Sequence, residues 1–113
     1  MQIVSEKLDA GQLRRMATER FGDMVKAVVD VERQVIAVDA ELHSDLEALL
    51  LENGSKQKDL WGINLYPELS GNDLIEYDSM INVRPGQGNR SRSVESEAVQ
   101  KKIVEVVGKR IVR

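Results

Sequence analysis

The sequence predicts an α+β domain in which a mostly antiparallel sheet of about five strands packs its helices on one face. Two observations predict this class. Two pairs of neighbouring segments alternate apolar and polar residues, as the strands of β-hairpins do, and three other segments repeat apolar residues at helical spacing. The predicted order is β-α-β-β-α-β-β-α. A chain of 113 residues, 42% of them hydrophobic, has the right size for one domain spanning residues 1–113.

The first two predicted elements are a short strand at Ile3-Val4 and a helix. Asp9 and Gln12 have the spacing of a capping box, in which each residue bonds the backbone of the other. Gly22 then ends the helix, because glycine readily takes the left-handed conformation found at helix ends. The apolar residues at helical spacing between these two signals are Leu13, Met16, Ala17 and Phe21.

A β-hairpin follows this helix. If Glu32-Arg33 is a two-residue turn, Val29 lies opposite Ile36 and nearly every apolar side chain falls on one face. The same register places Lys26 opposite Asp39, and such a pair of opposite charges stabilises neighbouring strands. A shift of one residue would scramble both faces, so the pattern indicates this register.

The second helix begins with another capping-box spacing, Ser44 with Glu47, and ends at Asn53-Gly54. A second hairpin is predicted from strands at Leu60–Tyr66 and Leu74–Val83, joined by a loop rich in turn residues. Like the first hairpin, it has one apolar and one polar face. The two polar faces are predicted to form a sheet surface open to solvent, a ligand or a partner.

The last helix is predicted to run from about Ser96 to the carboxyl end. Glu97 near its start, and Lys109 and Arg110 near its end, suit the helix dipole. The residues predicted to form its buried stripe are Val99, Ile103, Val106, Val107 and Ile111.

Composition excludes several kinds of function. The chain has no cysteine, which excludes disulfides and thiolate metal sites, and its one histidine excludes an all-histidine metal site. A formal net charge of −3 argues against broad, non-specific nucleic-acid binding. The first residues lack the features of a signal peptide, and no apolar run is long enough to span a bilayer. We therefore expect a cytoplasmic protein that has no membrane association, and we predict no cofactor.

The strongest candidate site is the arginine loop, defined as residues 81–92. Its three arginines have no acidic residue between them, and Gly86 and Gly88 let the backbone approach a ligand closely. Arginine donors match the geometry of phosphate or carboxylate. The leading hypothesis is therefore a binding or regulatory module, rather than an enzyme, that recognises a phosphate-bearing ligand such as a nucleotide or RNA. The predicted ligand-binding residues are Arg84, Arg90, Arg92, Asn89, Gln87 and Asn82.

This loop also has an ordinary structural interpretation. Glu95 and Glu97 follow it closely and could pair with Arg90 or Arg92, which would leave a surface loop with common ion pairs. The glycine spacing matches neither a Walker loop nor a dinucleotide-binding fingerprint.

A metal-dependent hydrolase of phosphate esters is the first alternative. Asp39, Glu41 and His43 alternate, so an extended backbone would point their oxygen and nitrogen ligands in one direction. Glu76 and Asp78, on the polar side of a strand, could complete a carboxylate cluster for metal-assisted chemistry. The lysine predicted opposite Asp39 weighs against this hypothesis.

A protein-protein adaptor that uses the polar sheet face is the second alternative. A homodimer is a further hypothesis, since small domains often self-associate. Val104 and Val112 lie beside the main stripe of the last helix and offer one contact. The apolar residues among the charges of the sheet face offer another: Met24, Val28, Val35, Ala37 and Met80.

Three segments carry a resemblance to a known family: residues 50–55 (Leu-Leu-Glu-Asn-Gly-Ser), residues 59–67 (Asp-Leu-Trp-Gly-Ile-Asn-Leu-Tyr-Pro) and residues 88–92 (Gly-Asn-Arg-Ser-Arg). They resemble a small family of uncharacterised bacterial proteins, a domain of unknown function, and the likeness extends over almost the whole chain. The resemblance implies one complete domain. It implies no activity, ligand or site residue.

Overall fold

The computed structural model describes residues 1–112, which contain three α-helices and seven strands. The strands are β1 (Gln2–Val4), β2 (Leu8–Asp9), β3 (Val25–Asp30), β4 (Val35–Val38), β5 (Leu60–Leu65), β6 (Ile75–Glu76) and β7 (Ile111–Val112). The helices are α1 (Ala10–Glu19), α2 (His43–Glu52) and α3 (Glu97–Arg110).

Five of the strands form one sheet in the order β1-β4-β3-β5-β6, and every neighbouring pair in it is antiparallel. The predicted α+β class and five-stranded antiparallel sheet are confirmed. The register of the first hairpin is also confirmed, because Val29 lies opposite Ile36. The sequence did not predict the remaining two strands: β2 and β7 form a separate parallel pair in which Leu8 lies opposite Ile111.

The packing of the helices differs from the prediction, because helices cover both faces of the sheet. α1 and α3 pack on the first face, against sheet residues that include Ala27, Ile36 and Ile63. α2 packs on the second face. It buries side chains there that alternate along the strands with the side chains of the first face. These second-face residues are Val28, Val35, Ala37 and Leu60. These residues form an apolar patch on the face that was expected to be polar and open. Only the end of that face near β6 remains polar.

The loop between β3 and β4 is held by a buried carboxylate. It takes four residues, 31–34, rather than the predicted two. The side chain of Asp30 is fully buried; it accepts hydrogen bonds from the backbone N–H of Glu32 (3.0 Å) and Arg33 (2.9 Å) and from the hydroxyl of Ser55 (2.6 Å). These bonds explain why a loop without a favoured turn dipeptide still connects the strands.

The predicted starts of α1 and α3 are confirmed, whereas that of α2 is different. Asp9 and Gln12 form the capping box of α1, and Ser96 caps α3. α2 begins at His43, one residue before Ser44, and it has no side-chain capping bond. The predicted capping box of Ser44 and Glu47 therefore does not form.

The charges beside the first hairpin also pair differently from the prediction. Asp39 forms an ion pair with Arg20, with 2.7 Å between Nε and Oδ1. The ammonium of Lys26 instead lies 5.4 Å from the centre of the Phe21 ring. Phe21 lies beyond the end of α1 and is exposed, although helical spacing placed it with the buried residues.

The second strand of the second hairpin is much shorter than predicted. Only Ile75–Glu76 pairs with β5, and the chain turns into a single 3-10 turn at Met80–Asn82. The side chain of Asn82 then takes the place of a strand: its Oδ1 accepts from the N–H of Gly62 (2.8 Å), and its Nδ2 donates to the carbonyl of the same residue (2.9 Å). A buried side-chain amide thus continues the hydrogen bonding where β6 stops.

Candidate functional site

Arg84 attaches the arginine loop to the sheet. Its guanidinium donates to the carbonyl of Leu60 (2.6 Å) and lies 4.1 Å from the centre of the Trp61 ring. Burial lowers the pKa of Arg84, although the group stays protonated at neutral pH. Gln87 strengthens the same attachment, because its Nε2 donates to the carbonyl of Lys58 at 2.8 Å. The two Nη groups of Arg84 and the Nε2 of Gln87 therefore bond backbone carbonyls of residues 57–60.

The two predicted asparagines are buried inside the loop. Asn82 also donates to the carbonyl of Arg92 (2.9 Å). Asn89 donates to the carbonyls of Asn82 and Ser93, each at 2.7 Å, and its Oδ1 accepts from the N–H of Glu95 at 2.9 Å. Both side-chain amides are therefore used to close the loop, and each is at most 3% exposed.

Arg90 and Arg92 are the predicted ligand-binding residues that remain at the surface. Arg92 pairs with Asp78, with 2.7 Å between Nε and Oδ1, and its side chain is 58% exposed. The carboxylate of Glu95 accepts from the backbone N–H groups of Arg90 (2.9 Å) and Ser91 (2.8 Å). Hydrogen bonds from Ser91, then from the backbone of Arg90, lower the pKa of Glu95. The loop thus already directs its amides at an anion, which is the chain's own carboxylate.

The three predicted metal ligands are not brought together. Asp39 has a φ of 75°, so the segment is not extended and its side chains do not align. Asp39 pairs with Arg20, and the Nε2 of His43 lies 2.8 Å from the carbonyl oxygen of Ile63, to which it donates. Burial lowers the pKa of His43, so its ring is neutral at pH 7. Within residues 1–112, no three His, Asp or Glu side chains are grouped to hold a metal ion.

The acidic residues of β6 and its extension lie at the polar end of the second face. Glu76 is exposed, and its Oε1 accepts from Nδ2 of Asn64 (2.8 Å) and from the hydroxyl of Tyr66 (3.0 Å). Among the described residues it forms no ion pair, whereas the nearby Asp78 is paired with Arg92. Glu76 therefore keeps an uncompensated negative charge at the edge of the sheet.

A groove that the sequence does not predict lies between α3 and residues 70–77. The groove has a volume of about 920 Å³. Its apolar walls are formed by Leu74, Ile75, Tyr77, Val104, Val107 and Ile111. Val104 is 52% exposed. The only sequence signal for this groove is the position of Val104 beside the main stripe of α3, which the pattern predicts as a dimer contact.

The groove runs beside an open edge of the sheet, because β6 is the last strand. The N–H of Tyr66 donates to the carbonyl of Leu74 (2.9 Å), and bonded pairs alternate along an antiparallel ladder. Leu74 and Glu76 therefore direct their backbone groups toward β5. Ile75 directs its backbone groups outward, and the same alternation, continued one residue past the end of β6, turns those of Tyr77 outward too; residues 1–112 supply no further strand there.

Comparison with known proteins gives a family but no function. No curated protein and no solved structure matches the chain. None of the helices described here is both long enough and apolar enough to cross a membrane. A family described as "Protein of unknown function (DUF5674)" matches residues 2–110. Since this match covers nearly the entire sequence, the chain belongs to the DUF5674 family of proteins of unknown function.

Proposed function

We propose that this chain is a protein-interaction module that binds an extended segment of another protein along β6 and in the groove beside α3. One observation carries the proposal: an unpaired sheet edge lies next to an apolar groove. Extended peptides are commonly bound by adding a strand to such an edge, where backbone bonds supply affinity and pockets supply specificity. This proposal keeps the protein-protein adaptor hypothesis but places its binding surface at the β6 edge of the sheet instead of on the polar sheet face.

The geometry supports this mode of binding in two ways. The outward N–H and C=O groups of Ile75 and Tyr77 would bond the backbone of the added segment. Side chains of a strand alternate between the two faces, so every second side chain of the segment would enter the groove and pack on Val104 and Val107. The volume of about 920 Å³ lies within the usual range for ligand sites.

The Val104→Glu variant tests the proposal. A peptide that binds the chain is first selected from a displayed library of extended sequences, and its affinity is then measured by fluorescence anisotropy. We expect the variant to weaken binding about tenfold or more, a loss of about 1.4 kcal/mol, because the new carboxylate must lose water when the groove is filled.

The matched control is Ala48→Glu, which adds the same charge at an exposed position of α2, on the other face of the sheet. It should bind the peptide as the unchanged chain does. The proposal fails if no peptide is selected, or if Val104→Glu binds as tightly as the control.

A second candidate function is recognition of a phosphate-bearing ligand, such as a nucleotide or RNA, by Arg90 and Arg92. The specific support is that the side chain of Arg90 is exposed and forms no hydrogen bond or ion pair with residues 1–112, while Arg92 is paired only with an exposed carboxylate. Bound phosphate would have to compete with Glu95 for the loop amides.

The double change Arg90→Ala and Arg92→Ala should abolish this binding without unfolding the domain, since both side chains lie at the surface. A labelled oligoribonucleotide measured at low and moderate salt should show affinity that falls with salt in the unchanged chain. The control is Arg15→Ala with Lys102→Ala, which removes the same charge from exposed sites on α1 and α3. Equal affinity in the two double variants would rule out this candidate.

A further inference from the structure

We propose that the segment bound at β6 is basic, with lysine or arginine side chains alternating with apolar ones. The apolar side chains would enter the groove, and the basic ones would lie on the second face, over Glu76. This inference rests on the strand addition proposed above and specifies the chemistry of the partner.

The position of Glu76 carries the argument. Its side chain lies on the second face of the sheet, and it is oriented by hydrogen bonds from Asn64 and Tyr66 rather than by a cation. An antiparallel strand added at the outward edge would place one of its residues directly opposite Glu76, with the two Cβ atoms about 4.5–5.5 Å apart. A lysine or arginine there would form the opposite-charge cross-strand pair that the chain itself does not provide.

The surrounding charges point to the same partner chemistry. Lys26, Asn64 and Glu76 lie opposite one another on three neighbouring strands, so Asn64 separates the two charged residues. Two strand spacings, about 9–10 Å, therefore separate the two charges, and solvent weakens their interaction. The charged residues that line the groove on α3 are Glu97, Lys101 and Glu105, a net negative set. Together with Glu76, this net negative charge would attract an approaching basic segment to the edge.

The same carboxylate disfavours a second copy of this chain as the occupant. If two β6 strands paired antiparallel about their centres, the outward groups of Ile75 in one copy would bond those of Tyr77 in the other. Glu76 would then lie directly opposite Glu76 of the second copy, and like charges in that position are destabilising. A segment of a different protein avoids this repulsion.

Three synthetic peptides test the inference: (Lys-Val)₄, (Ser-Val)₄ and (Glu-Val)₄, each titrated into the full chain. We expect (Lys-Val)₄ to bind at least tenfold more tightly than (Glu-Val)₄, with (Ser-Val)₄ between them. We expect the advantage of the lysine peptide to shrink with added salt. In an NMR titration, the amides of Ile75 and Tyr77 should shift on binding.

The Glu76→Gln variant identifies the responsible group, because glutamine keeps an oxygen for Asn64 and Tyr66 but removes the charge. It should weaken (Lys-Val)₄ about fivefold and leave (Ser-Val)₄ unchanged. Glu52→Gln, at an exposed position of α2, is the control of equal charge and should have no effect.

The outcomes separate this inference from the proposed function. Equal binding of the three peptides, still lost in Val104→Glu, would overturn the basic partner and leave strand addition in place. Failure of all three peptides to bind would overturn the basic partner, and binding that does not shift Ile75 and Tyr77 would overturn both proposals. Concentration-dependent dimers that contact β6 in the absence of peptide would assign the edge to a second copy and overturn the basic partner.

Discussion

Replacing Asn82 with alanine should lower the free energy of unfolding by about 4 kcal/mol. The side chain is fully buried and bonds three backbone groups: the N–H and C=O of Gly62 and the C=O of Arg92. Alanine would leave all three without a partner, and each buried, unpaired polar group costs about 1–3 kcal/mol. Gly62 lies in the second-last strand of the sheet, so water cannot reach these groups unless the 3-10 turn at Met80–Asn82 moves away.

Urea denaturation followed by circular dichroism measures this loss. Asn72→Ala, in the exposed loop before β6, is the matched control and should change stability by less than about 0.5 kcal/mol. A loss below about 1.5 kcal/mol in Asn82→Ala would show that the side chain does not replace a strand. The result would also distinguish this structural role of Asn82 from its predicted role in ligand binding. A ligand-binding asparagine at the surface would affect the affinity for the ligand and not the stability of the fold.

Replacing Gly62 with alanine should lower the free energy of unfolding by about 3 kcal/mol. A Cβ atom at this position would lie 2.5 Å from Cβ of Ser79, 2.6 Å from its Oγ, and 3.1 Å from Cγ1 of Ile81. Cβ is fixed to the backbone, so neither contact with Ser79 can be relieved by a rotation of the alanine. The backbone of residues 79–81 would have to shift and stretch the bonds between Gly62 and Asn82.

Thermal and urea unfolding test this expectation against Gly86→Ala. A Cβ at Gly86 meets no atom within 4 Å, so that variant should keep its stability within about 0.5 kcal/mol. Adding Ser79→Gly to Gly62→Ala should recover part of the loss, because it removes the two shortest contacts. Equal stability of Gly62→Ala and Gly86→Ala would contradict the close packing of residues 79–81 on β5.

The parts of the fold that the sequence predicted correctly depend on local patterns. The register of the first hairpin follows from a period of two, and the start of α1 follows from the spacing of Asp9 and Gln12. The apolar patch on the second face was predicted only in part. The hairpin register places Val28, Val35 and Ala37 together, but no local pattern shows that Leu60 of a third strand joins them or that α2 covers them.

Local sequence patterns predict the candidate site less well than they predict the fold. Arg84 and Arg90 have similar neighbours in sequence, but only Arg84 lies against Trp61, more than twenty positions earlier in the chain. This contact, rather than any local signal, decides which arginine is structural. The groove was missed because α3 and residues 70–77 form its walls only in the folded chain, and neither segment contains a motif.

The pairing of β2 with β7 has a consequence for the kinetics of folding. Leu8 and Ile111 are about a hundred positions apart in sequence, and Arg110 donates to the carbonyl of Gln34 at 2.8 Å, joining the end of α3 to the β3–β4 loop. Contacts this distant in sequence form slowly, because the long intervening chain must first lose its conformational freedom. During synthesis, the first face of the sheet therefore stays partly uncovered until α3 leaves the ribosome, and its aliphatic residues remain exposed to aggregation for that interval.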